Sequence, residues 1–190
     1  MENRRIEYQY STDERSLDLL NGVYSARKQV LRRDRPIRPL SSRITQLYVL
    51  GGCMVALFVA LLFAEQFWKV PEGILLLRYG MLFAGILWLC QAFAAQSSFD
   101  RVCRRDPDTA PKHGVFFLDA IGFCDTNCYG EMHKPLWRDF QACVVTPEII
   151  VMLFDHSTLY CSYSVQIERE LADALCERGL GSRIIHRRFT

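Results

Sequence analysis

Cysteine and histidine are the residue types in this 190-residue chain best suited to metal or thiol chemistry, with eight of the first and four of the second. The tightest grouping is Cys124-x3-Cys128, with His133 close behind and His113 ahead. Zinc takes about four N or S ligands, and structural sites commonly open on two cysteines a few residues apart. No second paired knuckle follows. Cys124, Cys128 and His133 are therefore an incomplete metal set, and no cofactor is expected. A thiol nucleophile would be Cys124 or Cys161 working with His156, but no orienting acid or oxyanion glycines can be assigned beside them. There is no phosphate-cradling glycine loop and no carboxylate pair at a recognisable spacing. The reading is of a protein that is not an enzyme.

The elements that must position these residues are dominated by residues 44–99. From Ile44 to Ala64 there are 21 residues without a charge, and from Tyr79 to Phe99 there are 21 more. At a rise of 1.5 Å per residue, an uncharged apolar run of about 18 or more spans a ~30 Å hydrocarbon core. The first run holds 11 Leu, Ile, Val or Phe residues, worth roughly −3 to −7 kcal/mol on an insertion scale of about −0.3 to −0.6 each. The second holds seven and extends upstream through Ile74-Leu75-Leu76-Leu77. That leaves Arg78 near a boundary where a long side chain snorkels. Helices buried in a soluble bundle would keep a polar face, and neither run has one. The expectation is a transmembrane hairpin with spans over about 44–64 and 74–96. Beginning at residue 44, it lies too late and runs too long for a cleaved signal peptide.

Gly52, Ala56, Ala60 and Ala64 recur every four residues, and Gly80 and Ala84 repeat that spacing in the second span. Small residues at this interval let helix backbones approach closely. These positions are expected to form the hairpin's own seam, or else a face for a homo-oligomer through the spans. No Asp, Glu, Lys or His sits at mid-depth, which argues against an ion or proton conduit.

Charge sets the orientation. Residues 1–43 carry ten Lys/Arg against six Asp/Glu, and seven of the ten fall between Arg27 and Arg43. Arg101, Arg104, Arg105 and Lys112 follow the second span, whereas the segment between the spans has only Lys69 and Arg78. Lys/Arg excess beside membrane ends marks the cytoplasmic side, so both termini are expected there, with residues 65–73 outside. The cysteines then face a reducing compartment or the bilayer, and free thiols are expected. The basic cluster Arg27-Lys28 and Arg32-Arg33-x-Arg35 reads as a topology signal beside anionic headgroups. It is not interleaved with aromatics, so nucleic acid is not an expected partner.

Outside the spans the period is local and mixed. Ile6 to Tyr10 alternates as a strand, Ser11 and Glu14 fit a capping box, and a helix from Asp13 to about Arg33 follows, with Asn21-Gly22 as its weak point. Residues 100–111 read as a charged linker. Over 112–190, strands are expected at 113–118, 123–126, 131–136, 142–146, 149–154 and 158–163, with a short helical turn at Trp137 to Phe140. A helix from Val165 to Arg178 is capped by Ser164 and stopped by Gly179, and Ile184, Ile185 and Phe189 form a last strand or a basic tail. The fold class is a membrane α-helical hairpin plus a small α+β cytoplasmic domain, an antiparallel sheet capped by a C-terminal helix. The divisions are an N-terminal strand and basic helix (1–43), the hairpin (44–99), a linker (100–111) and the domain (112–190). With eight basic and ten acidic residues over 112–190, that domain is not expected to bind lipid phosphates by bulk charge. Trp137 and Phe140 are expected to pack the sheet edge. Trp137, Arg138 and Phe140 are also the surface a partner would meet.

Tyr8 to Glu14, the spans, Phe117-Leu118-Asp119-Ala120-Ile121-Gly122-Phe123, Trp137-Arg138-Asp139-Phe140 and Glu148 to Leu153 together resemble the bacterial YcxB-like family of small membrane proteins. The resemblance implies two spans in the bacterial inner membrane, a C-terminal domain similar to pleckstrin-homology folds, and no established enzymatic activity. The family often has a Pro-Lys-Arg-like stretch before its last helix, where this chain reads Cys161-Ser162-Tyr163-Ser164. The functional expectation is a non-catalytic inner-membrane protein whose cytoplasmic domain binds or regulates a protein partner, with the lipid bilayer as its other partner. The alternatives are an immunity protein against a membrane-acting toxin, acting by occlusion within the bilayer, and a metal or thiol protein built on Cys124, Cys128 and His133.

Overall fold

A computed structural model of the chain describes residues 4–32, 36–67, 72–105, 110–126, 130 and 132–189. It divides into two compact units, Leu40–Arg105 and a second made from Met1–Pro39 together with Asp106–Thr190.

The first unit is a helical hairpin. In chain order its helices are α3 (Leu40–Phe67) and α4 (Glu72–Arg105). Both are long and apolar enough to cross a membrane, and only 6% and 11% of their apolar windows are buried. Residues 100–105, expected as linker, continue α4. Asp-Arg-Val-Cys-Arg-Arg contains no helix breaker, and the first proline comes at 107. At the far end of the hairpin Arg78 and Glu65 form an ion pair, and Arg78 Nη2 also donates to the Tyr79 hydroxyl at 2.9 Å.

The seam keeps only part of the expected ladder. Gly52, Ala56, Ala60 and Gly80 are exposed, and Ala64 and Ala84 are half-buried. A Cβ on Gly52 or Gly80 would meet nothing within 4 Å. The close approach is at Gly51 and Gly85: a Cβ on Gly51 would stand 3.0 Å from the Gly85 carbonyl oxygen, and one on Gly85 3.1 Å from that of Gly51. The covered positions of α3 include Gly51, Met54, Val55, Phe58, Leu61, Ala64 and Glu65, and those of α4 include Arg78, Met81, Leu82, Ala84, Gly85, Trp88, Leu89 and Ala92, so Ala64 and Ala84 of the expected ladder stay on the covered side. The reason is angular. With 3.6 residues per turn a strict i+4 ladder drifts about 40° per step, whereas steps alternating between three and four hold one face toward a neighbour.

The second unit has three layers. One sheet has the order β1-β2-β3-β4, with β1 (Arg4–Tyr10), β2 (Lys112–Leu118), β3 (Phe123–Thr126) and β4 (Met132–His133), all antiparallel. The other has the order β7-β6-β5-β8, with β5 (Phe140–Val145), β6 (Ile149–Phe154), β7 (Thr158–Ser162) and β8 (Ile184–His186). The pair β5–β8 is parallel. The sheets share one core, in which Tyr8, Phe116 and Phe123 meet Phe140, Met152, Phe154 and Cys161. Helix α5 (Val165–Glu177) joins that core through Ile167, Leu171, Ala174 and Leu175. It begins after Ser164 and stops at Gly179, which sits at φ +69°.

A second core lies on the other face of the β5–β6 layer. There α1 (Glu14–Ser25) and α2 (Arg27–Arg32) bring Leu19, Val23 and Val30 onto Val144, Ile149, Val151 and Leu153. Strand β6 is buried at all six positions, which explains why Ile-Ile-Val-Met-Leu-Phe reads as an unbroken apolar run. The expected separation of 1–43 from 112–190 is thus replaced by one folded unit drawing on both.

Several local expectations shift. The cap of α1 is Asp13, whose Oδ1 accepts from Ser16 N at 3.2 Å, while Ser11 Oγ accepts from Asp13 N. The helix breaks at Ala26 rather than at Asn21-Gly22. Gly22 instead permits a close crossing, since a Cβ there would lie 2.7 Å from the Arg38 carbonyl oxygen. The third strand of the domain shortens to Met132–His133, because Pro135 follows and its carbonyl accepts from Phe123 N at 2.9 Å. Arg27, expected to face headgroups, donates to Gln141 Oε1 at 2.8 Å and to the Phe154 carbonyl. Residues 33–35 of the basic cluster lie outside the described residues.

Candidate functional site

The turn carrying Asp119-Ala-Ile-Gly-Phe is built by its own chemistry. Asp119 Oδ1 accepts from Ile121 N at 2.8 Å and Gly122 N at 2.7 Å, an Asx-type turn. These backbone bonds, that from Gly122 first, hold the carboxyl below the usual carboxylate range. Gly122 is required because a Cβ would come within 2.6 Å of the Pro135 carbonyl oxygen. Trp137 Nε1 donates to the Asp119 carbonyl at 2.8 Å, and Arg178 from the end of α5 lies over the indole at 4.8 Å while donating to the same carbonyl. The indole also meets Phe123 and Phe140 edge-on. Of the expected partner surface, only Arg138 stands out, with its side chain 80% exposed. Phe140 is 2% exposed, which corrects its assignment to a surface: as the first residue of β5 it points into the shared core, with Phe154 at 5.5 Å.

The metal set does not converge. Cys124 is the register partner of Phe117, and Asp125 is that of His133. Neighbours along a strand point to opposite faces, so Cys124 and His133 lie on opposite sides of the sheet. Cys128 falls outside the described residues. Among the described residues no group of three metal-ligating side chains occurs, and seven cysteines are free thiols. The expected pairing of Cys161 with His156 is not formed: Cys161 is buried in the shared core, and His156 is exposed in the β6–β7 turn. Burial pushes the Cys143 thiol up to about 12 and the Cys161 thiol higher still. Both are held as thiols rather than as reactive thiolates.

The densest polar chemistry inside the domain was not legible as a motif. Tyr8 faces Gly114 across β1–β2, and its ring lies over that glycine so closely that a Cβ there would collide with it. The ring stacks on Phe116 with centroids 3.8 Å apart. Its hydroxyl donates to Asp125 Oδ1 at 2.5 Å, joining residues 117 apart in the chain. Asp125 is 6% exposed. Burial raises its pKa above the ordinary carboxylate range, against the Tyr8 hydrogen bond and nearby His133, which favour the anion. Burial and then the bond to Asp125 push the Tyr8 phenol well above its ordinary value. Tyr10 and Tyr160 stand beside this pair with ring centroids 5.8 Å apart at 76°. Tyr8, Tyr10, Asp125, His133, Thr158, Leu159 and Tyr160 line a cavity of about 160 Å³. The one signal in the sequence was an Asp at an inward position of an alternating strand, Phe123-Cys124-Asp125-Thr126.

No family model matches the sequence, and no curated protein matches it either.

Proposed function

We propose that this chain is an integral protein of the bacterial inner membrane, anchored by the α3–α4 hairpin, and that its α+β unit is a cytoplasmic, pleckstrin-homology-like domain that binds a protein partner without catalysis. The observation that carries the reading is the pairing of β1 with β2. Residues before the hairpin and residues after it share one sheet from Arg4↔Leu118 to Tyr10↔Lys112. Two segments in one sheet fold in one compartment, so the hairpin enters and leaves the membrane from a single side. The Lys/Arg excess on both flanks favours the cytoplasm as that side. The small buried share of both apolar helices supports lipid rather than a protein core as their surroundings. Two sheets face to face with one closing helix agree with the fold that the YcxB-like resemblance implies.

A protein partner is favoured by the outer face of the β1–β4 sheet. Phe117 and Met132 are exposed there, and Ile121 in the adjoining turn is 74% exposed. Exposed apolar groups clustered on a sheet face are characteristic of protein contact surfaces. The test is site-specific photocrosslinking in native membranes. A photoreactive residue at Phe117 is expected to give a discrete adduct with another protein, and one at the exposed Asp173 on α5 none. Release of the protein by alkaline carbonate, or identical crosslinking at both positions, overturns the reading.

A further inference from the structure

We propose that the cavity between β1, β3, β4 and β7 binds an organic ammonium group, primary or quaternary, against the Asp125 carboxylate and the rings of Tyr8, Tyr10 and Tyr160. The inference goes beyond the partner-binding role and does not depend on it.

Three features of the wall select the ligand. First, Asp125 is a buried carboxylate on the shared core side of β3, and the hydrogen bond it receives from protein in this wall is that of the Tyr8 hydroxyl. A carboxylate has about four lone-pair sites, and a buried one calls for a positive partner. No Lys or Arg lines the cavity among the described residues. His133, its register partner on β4, is exposed to solvent. Second, the remaining wall is aromatic and turned in more than one direction. Tyr10 is tilted 36° from Tyr8 and 76° from Tyr160, with centroids 5.8 Å apart in both pairs. Cations are drawn to ring faces, and walls of several rings are the usual cage for alkylammonium groups. Third, the space is about 160 Å³, close to the ~150 Å³ that accommodates benzene in an engineered protein cavity. A trimethylammonium group is smaller than benzene.

Other ligands fit less well. An anion would face the Asp125 carboxylate with no Lys or Arg in the wall among the described residues, and only the exposed His133 imidazole beside it. A divalent metal would find one carboxylate and one imidazole, short of the six or more oxygens that calcium takes and the about four ligands of zinc.

The test is titration calorimetry on the full chain in maltoside micelles, in phosphate buffer free of amines. The probes are choline, ethanolamine, and 3,3-dimethyl-1-butanol, a neutral analogue of choline with carbon in place of nitrogen. Choline or ethanolamine should bind saturably, and the neutral analogue at least tenfold more weakly. Potassium chloride at equal ionic strength should not compete. Asp125→Asn, which keeps the side-chain shape and an acceptor for Tyr8, should lose binding while retaining the wild-type circular dichroism spectrum, and Tyr10→Leu should weaken it. Nanodiscs separate the sources of the group. If a lipid headgroup supplies it, free choline will bind in phosphatidylglycerol discs and not in phosphatidylcholine discs; a free ligand will bind in both. Absence of saturable binding by either amine, or equal binding of the neutral analogue, overturns the proposal. Undiminished binding by folded Asp125→Asn does so too.

Discussion

Tyr8 and Gly114 are fitted to each other, and neither tolerates change alone. Gly114→Ala drives a methyl into the Tyr8 ring, and overpacking of this kind costs about 1–3 kcal/mol. Chemical unfolding in micelles should show that loss, and pairing the substitution with Tyr8→Ala should make the double variant less unstable than the sum of the two. Tyr8→Phe keeps the ring but removes the donor to a buried carboxylate, a loss of about 1–3 kcal/mol. The pH dependence has a definite sign. Asp125 is harder to ionise in the fold than in the unfolded chain. The stability it contributes is full below the unfolded carboxylate pKa of about 3.9 and is lost as pH rises through the raised folded value. Unfolding measured in steps from pH 4 upward should therefore show a downward slope in wild type that Asp125→Asn flattens. None of this was visible as a motif, because Tyr8 and Asp125 are 117 residues apart and each looks ordinary in its own strand.

Elements carry their own predictions. The closest approach in the hairpin is at Gly51 and Gly85, while Gly52, Ala56, Ala60 and Gly80 of the expected ladder are exposed and Ala64 and Ala84 half-buried. Gly51→Leu should lower the thermal stability of the hairpin in micelles, by the about 1–3 kcal/mol typical of an overpacked contact. Gly52→Leu, where nothing lies within 4 Å, should leave it unchanged. Equal effects at the two positions would refute the assigned seam. Small residues mark where close approach is permitted, not which face turns inward, and so the spacing alone did not separate the hairpin's own seam from a face for a homo-oligomer. The strands were better served. Phe123–Thr126 and Ile149–Phe154 fall where alternation and apolar runs indicated, and Gly179 ends α5 as its position suggested. These features depend on residues within one or two turns of each other.

At the scale of the whole molecule, the N-terminal segment is part of the domain rather than an arm beside it. Residues 112–190 alone would lack β1 from one sheet and would expose Val144, Val151 and Leu153, which α1 and α2 cover. Full burial of each such side chain contributes about 1.5–3 kcal/mol. That fragment should lack a cooperative unfolding transition, and adding residues 1–39 in trans should restore one; a fragment that melts sharply by itself would contradict this. By itself, the sequence determined what short-range periodicity determines: two uncharged runs of membrane-spanning length, the order of strands and helices, and several of their stops. Only the tertiary structure decided which glycines touch, which helices cover which sheet face, and that a tyrosine near one end closes on an aspartate far along the chain. The reason is physical. A repeat of apolar positions specifies that one side of an element must be covered, but the covering surface is chosen by packing between segments that the sequence keeps far apart.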